Sequence, residues 1–135
     1  MSHVLQVRVY YEDTDAGGVV YYANYLKYLE RGRSEFLRAL GFEQRALARE
    51  QGLAFAVRSL SVEYLKPAKL DDLLDVHTLV EVVGRAQVIF AQSITRGAER
   101  LLTAQARIAC LDLGKERVAA LPAQLHTLLI AARTS

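Results

Sequence analysis

The chain has 135 residues, 52% of them apolar, which suits one domain with a single core. Seventeen Lys and Arg against fifteen Asp and Glu give a formal charge of +2, too even for the dense basic face of a nucleic-acid binder. One cysteine, Cys110, excludes an internal disulfide, and no stretch approaches the roughly 18 apolar residues of a membrane span.

The N-terminal MSHVLQVRVYYEDTD lacks an apolar signal core and turns acidic early, so the expected location is the cytoplasm. Residues 4–11 alternate as a strand, with Val7, Val9 and Tyr11 sharing one face. EDTDAGG then interrupts regular structure. From 22 to 40, Tyr22, Tyr25, Leu26, Leu29, Phe36, Leu37 and Leu40 recur at helical spacing. Lys27, Glu30, Arg31, Ser34, Glu35 and Arg38 take the other face, and Gly41 stands where a C-terminal glycine belongs. Gly32, in the middle of this helix, costs about 1 kcal/mol of propensity against Ala. Close approach of the backbone to a sheet or a second helix would compensate for it.

A short helix over 43–51 closes at Gly52. Strands follow over 53–65, 73–83, 86–96 and 100–112, with breaks at Pro67, Asp71-Asp72, Gly84-Arg85 and Gly97-Ala98. The last two breaks are short enough for hairpins, so the sheet is antiparallel there. Residues 122–133 form a final apolar helix with Pro122 in its first turn. Strand, long helix and then four strands describe an α+β protein, one domain over 1–135, in which a long helix lies on an antiparallel sheet.

The chemistry concentrates in Asp13-Thr14-Asp15-Ala16-Gly17-Gly18 before the long helix. A helix N-terminus exposes unpaired N–H groups that stabilise an oxyanion, and a nearby carboxylate can attack a carbonyl or activate water. Gly17 and Gly18 let backbone approach a ligand. On residue type alone, an Asp in this place is more often a cap or turn residue than a catalyst. His3, His77 and His126 are too scattered for a metal site, and there is no Gly-x-Ser-x-Gly elbow. No metal or cofactor is expected.

The run YYEDTDAGGVVYYANYLKYLERGRSEFLRALG resembles the signature of the 4-hydroxybenzoyl-CoA thioesterase family of hotdog proteins, and is most similar to its YbgC-like, Tol-Pal-associated branch. FAVRSLSVEYLKPAKLDDLLDV continues the likeness. The resemblance implies a hotdog fold of about five strands wrapped on the long helix, and hydrolysis of acyl-CoA to free acid and CoA. It also implies sites at the interface of a homodimer or homotetramer. Asp15 takes the place of the catalytic carboxylate, as general base or nucleophile. Tyr22 falls where a helix-end N–H polarises the thioester carbonyl, although many YbgC-like members carry His there. Gly18, Val19 and Tyr21 match substrate-contacting positions, and Arg85 the loop that meets CoA phosphates; a solvated turn is the alternative for Arg85. Asp13 either assists Asp15 or orders the loop, and Tyr25 either lines the acyl pocket or packs in the core. The alternative function is a protein that binds acyl carrier protein or envelope machinery with little hydrolysis. Expected partners are acyl-CoA and acyl carrier protein, with peripheral association with the inner membrane.

Overall fold

The computed structural model describes residues 1–134. Strand β1 (Ser2–Arg8) is followed by a 3-10 turn (Tyr11–Asp13), helix α1 (Asn24–Ala39) and helix α2 (Gln44–Gln51). Then come β2 (Leu53–Tyr64), β3 (Leu73–Val83), β4 (Gln87–Arg96), β5 (Glu99–Asp112), the two-residue β6 (Arg117–Val118) and α3 (Ala123–Thr134). The strands form one antiparallel sheet in the order β1-β3-β4-β5-β2, with β6 added on β5. Hairpins at Gly84 and Gly97 join β3, β4 and β5, as the short breaks predict. Gly97 supplies the positive φ of its turn. Gly52 closes α2 in the left-handed conformation.

Helix α1 lies across the sheet and divides the core. Tyr25, Tyr28 and Leu29 pack with Val9, Val20, Leu74, Val76 and Ile94 at one end. Phe36 and Leu37 pack with Val80, Phe90, Ile108 and the α3 residues Leu125 and Leu129 at the other. The helix touches the sheet between these clusters at Gly32. A Cβ there would stand 2.8 Å from Val76 Cγ1 and 2.9 Å from Thr78 Oγ1, which accounts for the helix-weakening glycine. Beside it Arg33, only 7% exposed, donates to Gln92 Oε1 at 3.0 Å, and Gln92 Nε2 donates to Leu29 O and Thr78 Oγ1. Burial lowers the Arg33 pKa, and the nearby Glu30 opposes that shift.

Two expectations are corrected. The buried stripe of α1 runs through Tyr25, Tyr28, Leu29, Gly32, Arg33, Phe36 and Leu37, whereas Tyr22 precedes the helix and is 62% exposed. Arg33 was hidden from the apolar pattern because its burial depends on Gln92, which lies 59 residues away. In β1 the inward residues are His3, Leu5 and Val7, continued by Val9, while Tyr11 is 82% exposed. The strand ends early because the Asp13 carboxylate takes the Tyr10 N–H at 2.8 Å and curls the chain into the 3-10 turn.

Candidate active site

The loop between β1 and α1 is built around two aspartates with different partners. Asp13 is the frame. Besides the bond from Tyr10, its carbonyl accepts the Tyr21 N–H at 3.0 Å and Asn24 Nδ2 at 2.9 Å. This ties both ends of the loop to one residue. Thr14 Oγ1 donates to Tyr11 O.

Asp15 heads a tight turn. Its N–H donates to Val19 O at 2.9 Å and its carbonyl accepts the Gly18 N–H at 3.0 Å. Gly18 has φ +79°, a conformation that glycine adopts without strain. The Gly17 N–H donates to Asp15 Oδ1 at 2.9 Å, so one carboxylate oxygen is held. No described residue donates to the other. The carboxylate is solvent-exposed in the single chain.

The turn rests on the segment between β2 and β3. The Val20 N–H donates to Ala68 O at 2.9 Å, the Leu70 N–H to Gly18 O at 3.4 Å, and Val19 forms an antiparallel bridge with Lys69. Tyr25, buried, accepts the Ala68 N–H on its hydroxyl at 2.9 Å, and burial raises its pKa. It therefore packs in the core and ties the turn's support to α1.

Tyr22 sits two residues before the first helical residue. Its carbonyl accepts the Tyr64 hydroxyl at 3.3 Å, and its N–H finds no acceptor among the described residues. The rings of Tyr22 and Tyr64 meet edge to face at 6.4 Å, and Tyr21 leans on Tyr22 at 4.8 Å. Val20, Tyr22, Tyr25, Tyr64, Leu65 and Pro67, with Lys66, wall an open cavity of about 270 Å³. A second of about 350 Å³ is bounded by Asp15, Gly18, Tyr11 and Leu70.

Asp15, Gly18, Val19, Tyr21 and Tyr22 thus share one loop. Arg85 does not join them. It occupies the β3–β4 turn, at the far end of the 11-residue β3 from the Asp72 corner, a span of about 36 Å at ~3.3 Å per residue. Its carbonyl accepts the Leu121 N–H. The sequence reading missed Tyr64 and Ala68 as partners of the loop. Neither carries a local signal, since each meets its partner only through the sheet.

A long helix laid on a curled antiparallel sheet, with a glycine turn at its entrance, is the hotdog arrangement. A solved structure of a probable thioesterase from Bartonella henselae superposes with a TM-score of 0.85 at 39% identity, covering 90% of this chain and all of that one. The Thioesterase superfamily model matches residues 17–103. The chain is 51% identical over 119 residues, 88% of each chain, to the acyl-CoA thioesterase YbgC of Haemophilus influenzae. It is 46% identical over 117 residues, 86% of this chain and 87% of the other, to the acyl-CoA thioester hydrolase YbgC of Escherichia coli O6:H1. The chain belongs to the thioesterase superfamily.

Proposed function

We propose that the protein hydrolyses acyl-CoA thioesters to a free acid and CoA, with Asp15 as the reacting carboxylate and the Tyr22 N–H as the oxyanion donor. One observation carries this reading. A carboxylate oxygen and a backbone N–H, both without partners among the described residues, are carried by one loop, Tyr22 on the wall of a largely apolar cavity and Asp15 on the wall of a second. The carbonyl oxygen accepts the Tyr22 N–H, and negative charge develops there as the carbon becomes tetrahedral.

Along one route Asp15 takes a proton from water while the oxygen of that water bonds to the acyl carbon. The C–S bond then breaks, and the departing sulfur receives the proton. Along the other, Asp15 attacks the carbon, the thiolate leaves, and water cleaves the mixed anhydride. Both give the same products. A general base works best near the operating pH, which calls for partial burial of the carboxylate. A second copy and the substrate itself would supply that cover.

Strand β2 is a sheet edge, and its 12 residues are pairable by another β2. Antiparallel pairing about a two-fold axis sets the Leu53 end of one copy beside the Tyr64 end of the other. The Arg85 turn lies toward the Leu53 end, because Phe55 pairs with Cys110 and the Cys110 N–H donates to Ala86 O. In a homodimer, Arg85 therefore serves the partner's Asp15 loop, and the CoA phosphates are held across the interface. The protein works in this reading as a cytoplasmic homo-oligomer. Steady-state hydrolysis of a panel of aliphatic and aromatic acyl-CoAs, wild type against Asp15→Asn, tests the reading.

A further inference from the structure

The segment between β2 and β3 is the floor of the Asp15 turn, and it has few apolar anchors of its own apart from Ala68, which is fully buried. Polar contacts fix the rest. Arg96, at the end of β4, donates through Nη1 to Asp72 Oδ2 at 2.7 Å and to Pro67 O at 3.3 Å. The same Asp72 oxygen accepts the Lys69 N–H at 2.8 Å. One guanidinium thus holds both ends of the segment whose Ala68 carbonyl and Leu70 N–H grip Val20 and Gly18. On its other side Arg96 binds Glu99, which also accepts Lys66 Nζ at 2.9 Å. Arg96 therefore has an inner arm to Asp72 and Pro67, beside the backbone groups that hold the turn, and an outer arm to Glu99, which meets the exposed side chain of Lys66 at the start of the same segment. Its side chain is 30% exposed and that of Asp72 21%, so solvent screens the inner arm only in part.

We propose that Arg96 is a positioning residue for the active turn, fixing Gly18–Val20, and with them Asp15, through Asp72 and the 67–70 segment. The proposal rests on the thioesterase reading of that turn. Planar, forked donation lets one side chain reach Asp72, Pro67 and Glu99 together, which an ammonium does less well. Small displacements of a reacting group cost rate rather than substrate affinity, so the signature is a loss in kcat.

The test separates the two arms in the full-length protein, with an acyl-CoA substrate and at a temperature well below each variant's melting point. Arg96→Met cuts both arms and Asp72→Asn the inner one alone, and each should lower kcat about tenfold or more with KM within about twofold. Arg96→Lys should recover part of the loss. Glu99→Gln cuts only the outer arm and should lower the melting temperature while leaving kcat within about twofold. Amide hydrogen exchange supplies a readout independent of turnover. The Val20 and Leu70 amides should exchange at least about tenfold faster in Asp72→Asn and stay unchanged in Glu99→Gln. The proposal is overturned if Asp72→Asn keeps more than half of the wild-type kcat, if Glu99→Gln loses as much, or if the two amides do not respond. Faster exchange in a protein whose wild type hydrolyses no thioester would sink the catalytic reading alone and leave the positioning of the turn standing.

Discussion

The Tyr64 hydroxyl donates to the Tyr22 carbonyl oxygen at 3.3 Å, joining the last residue of β2 to the peptide that precedes α1. A bond between neutral, exposed groups contributes about 1 kcal/mol net. Its consequence here is orientation, since Tyr22 also bears the N–H assigned to the oxyanion. Tyr64→Phe keeps the ring contact with Tyr22 and removes only that bond. It should lower kcat about three- to tenfold, with a melting temperature within a few degrees of wild type. Unchanged kcat would detach Tyr64 from the site.

Gly32→Ala sets two effects against each other. Alanine returns about 1 kcal/mol of helix propensity. The added methyl has no room against Val76 and Thr78, and overpacking of this kind costs about 1–3 kcal/mol. The packing cost wins because both neighbours stand on a central strand. Denaturant unfolding should show a net loss of about 1–2 kcal/mol. A gain would mean that helix and sheet separate freely at this crossing.

The Arg96 cluster makes stability depend on acid. Burial raises the Asp72 pKa, but the Arg96 hydrogen bond and the Lys69 N–H outweigh it, and the carboxyl stays below its ordinary value. Hydrogen bonds from Arg96 and Lys66 lower that of Glu99. Both groups therefore ionise at lower pH in the folded chain than in the unfolded one. Their contribution is complete above about pH 4–4.5 and is lost as pH falls through the folded values. Melting temperature should drop on acidification below about pH 4, and Arg96→Met should flatten that drop. Equal slopes in both proteins would contradict the assignment.

Much of the fold was legible because the signals are local. Strand patterns bounded by Pro, Asp and Gly breaks marked β2 to β5, Gly52 closed α2, and the Asp-Ala-Gly-Gly run marked the turn. The central glycine of α1 already implied close approach to a sheet or a second helix. What was hidden depends on pairs remote in sequence. Arg33 looks like a surface cation until Gln92 faces it, and Tyr11 looks like a strand residue until Asp13 captures the Tyr10 N–H. The support of the Asp15 turn by Ala68, Asp72 and Arg96 has no short-range pattern at all. The resemblance singled out Asp15 and Tyr22, and the loop that carries both is held by residues it did not name.

Arg85 distinguishes a shared site from one contained in a single chain. Arg85→Ala should raise KM for acyl-CoA several-fold with little change in kcat, and should matter much less for a pantetheine thioester. Mixing Asp15→Asn with Arg85→Ala chains is the sharper experiment. If Arg85 serves the partner, half the sites of a mixed dimer carry neither lesion, and activity with the wild-type KM returns. Activity that keeps only the raised KM would place Arg85 outside the partner's site.

The central claim is that Asp15 reacts while Asp13 holds the loop. Asp15→Asn keeps the side chain's size and its acceptor for the Gly17 N–H, and removes charge and nucleophilicity. Asp13→Asn makes the same change two residues earlier, where the carboxylate accepts the Tyr10 N–H and lies beside the Tyr28 hydroxyl. The decisive measurement is kcat for an acyl-CoA thioester in these two variants, both confirmed folded. Asp15→Asn should lose about 100-fold or more, the effect of removing a participating base, and Asp13→Asn should be clearly milder. If Asp15→Asn keeps more than about a tenth of wild-type kcat, or Asp13→Asn is the more damaging, Asp15 is not the reacting carboxylate.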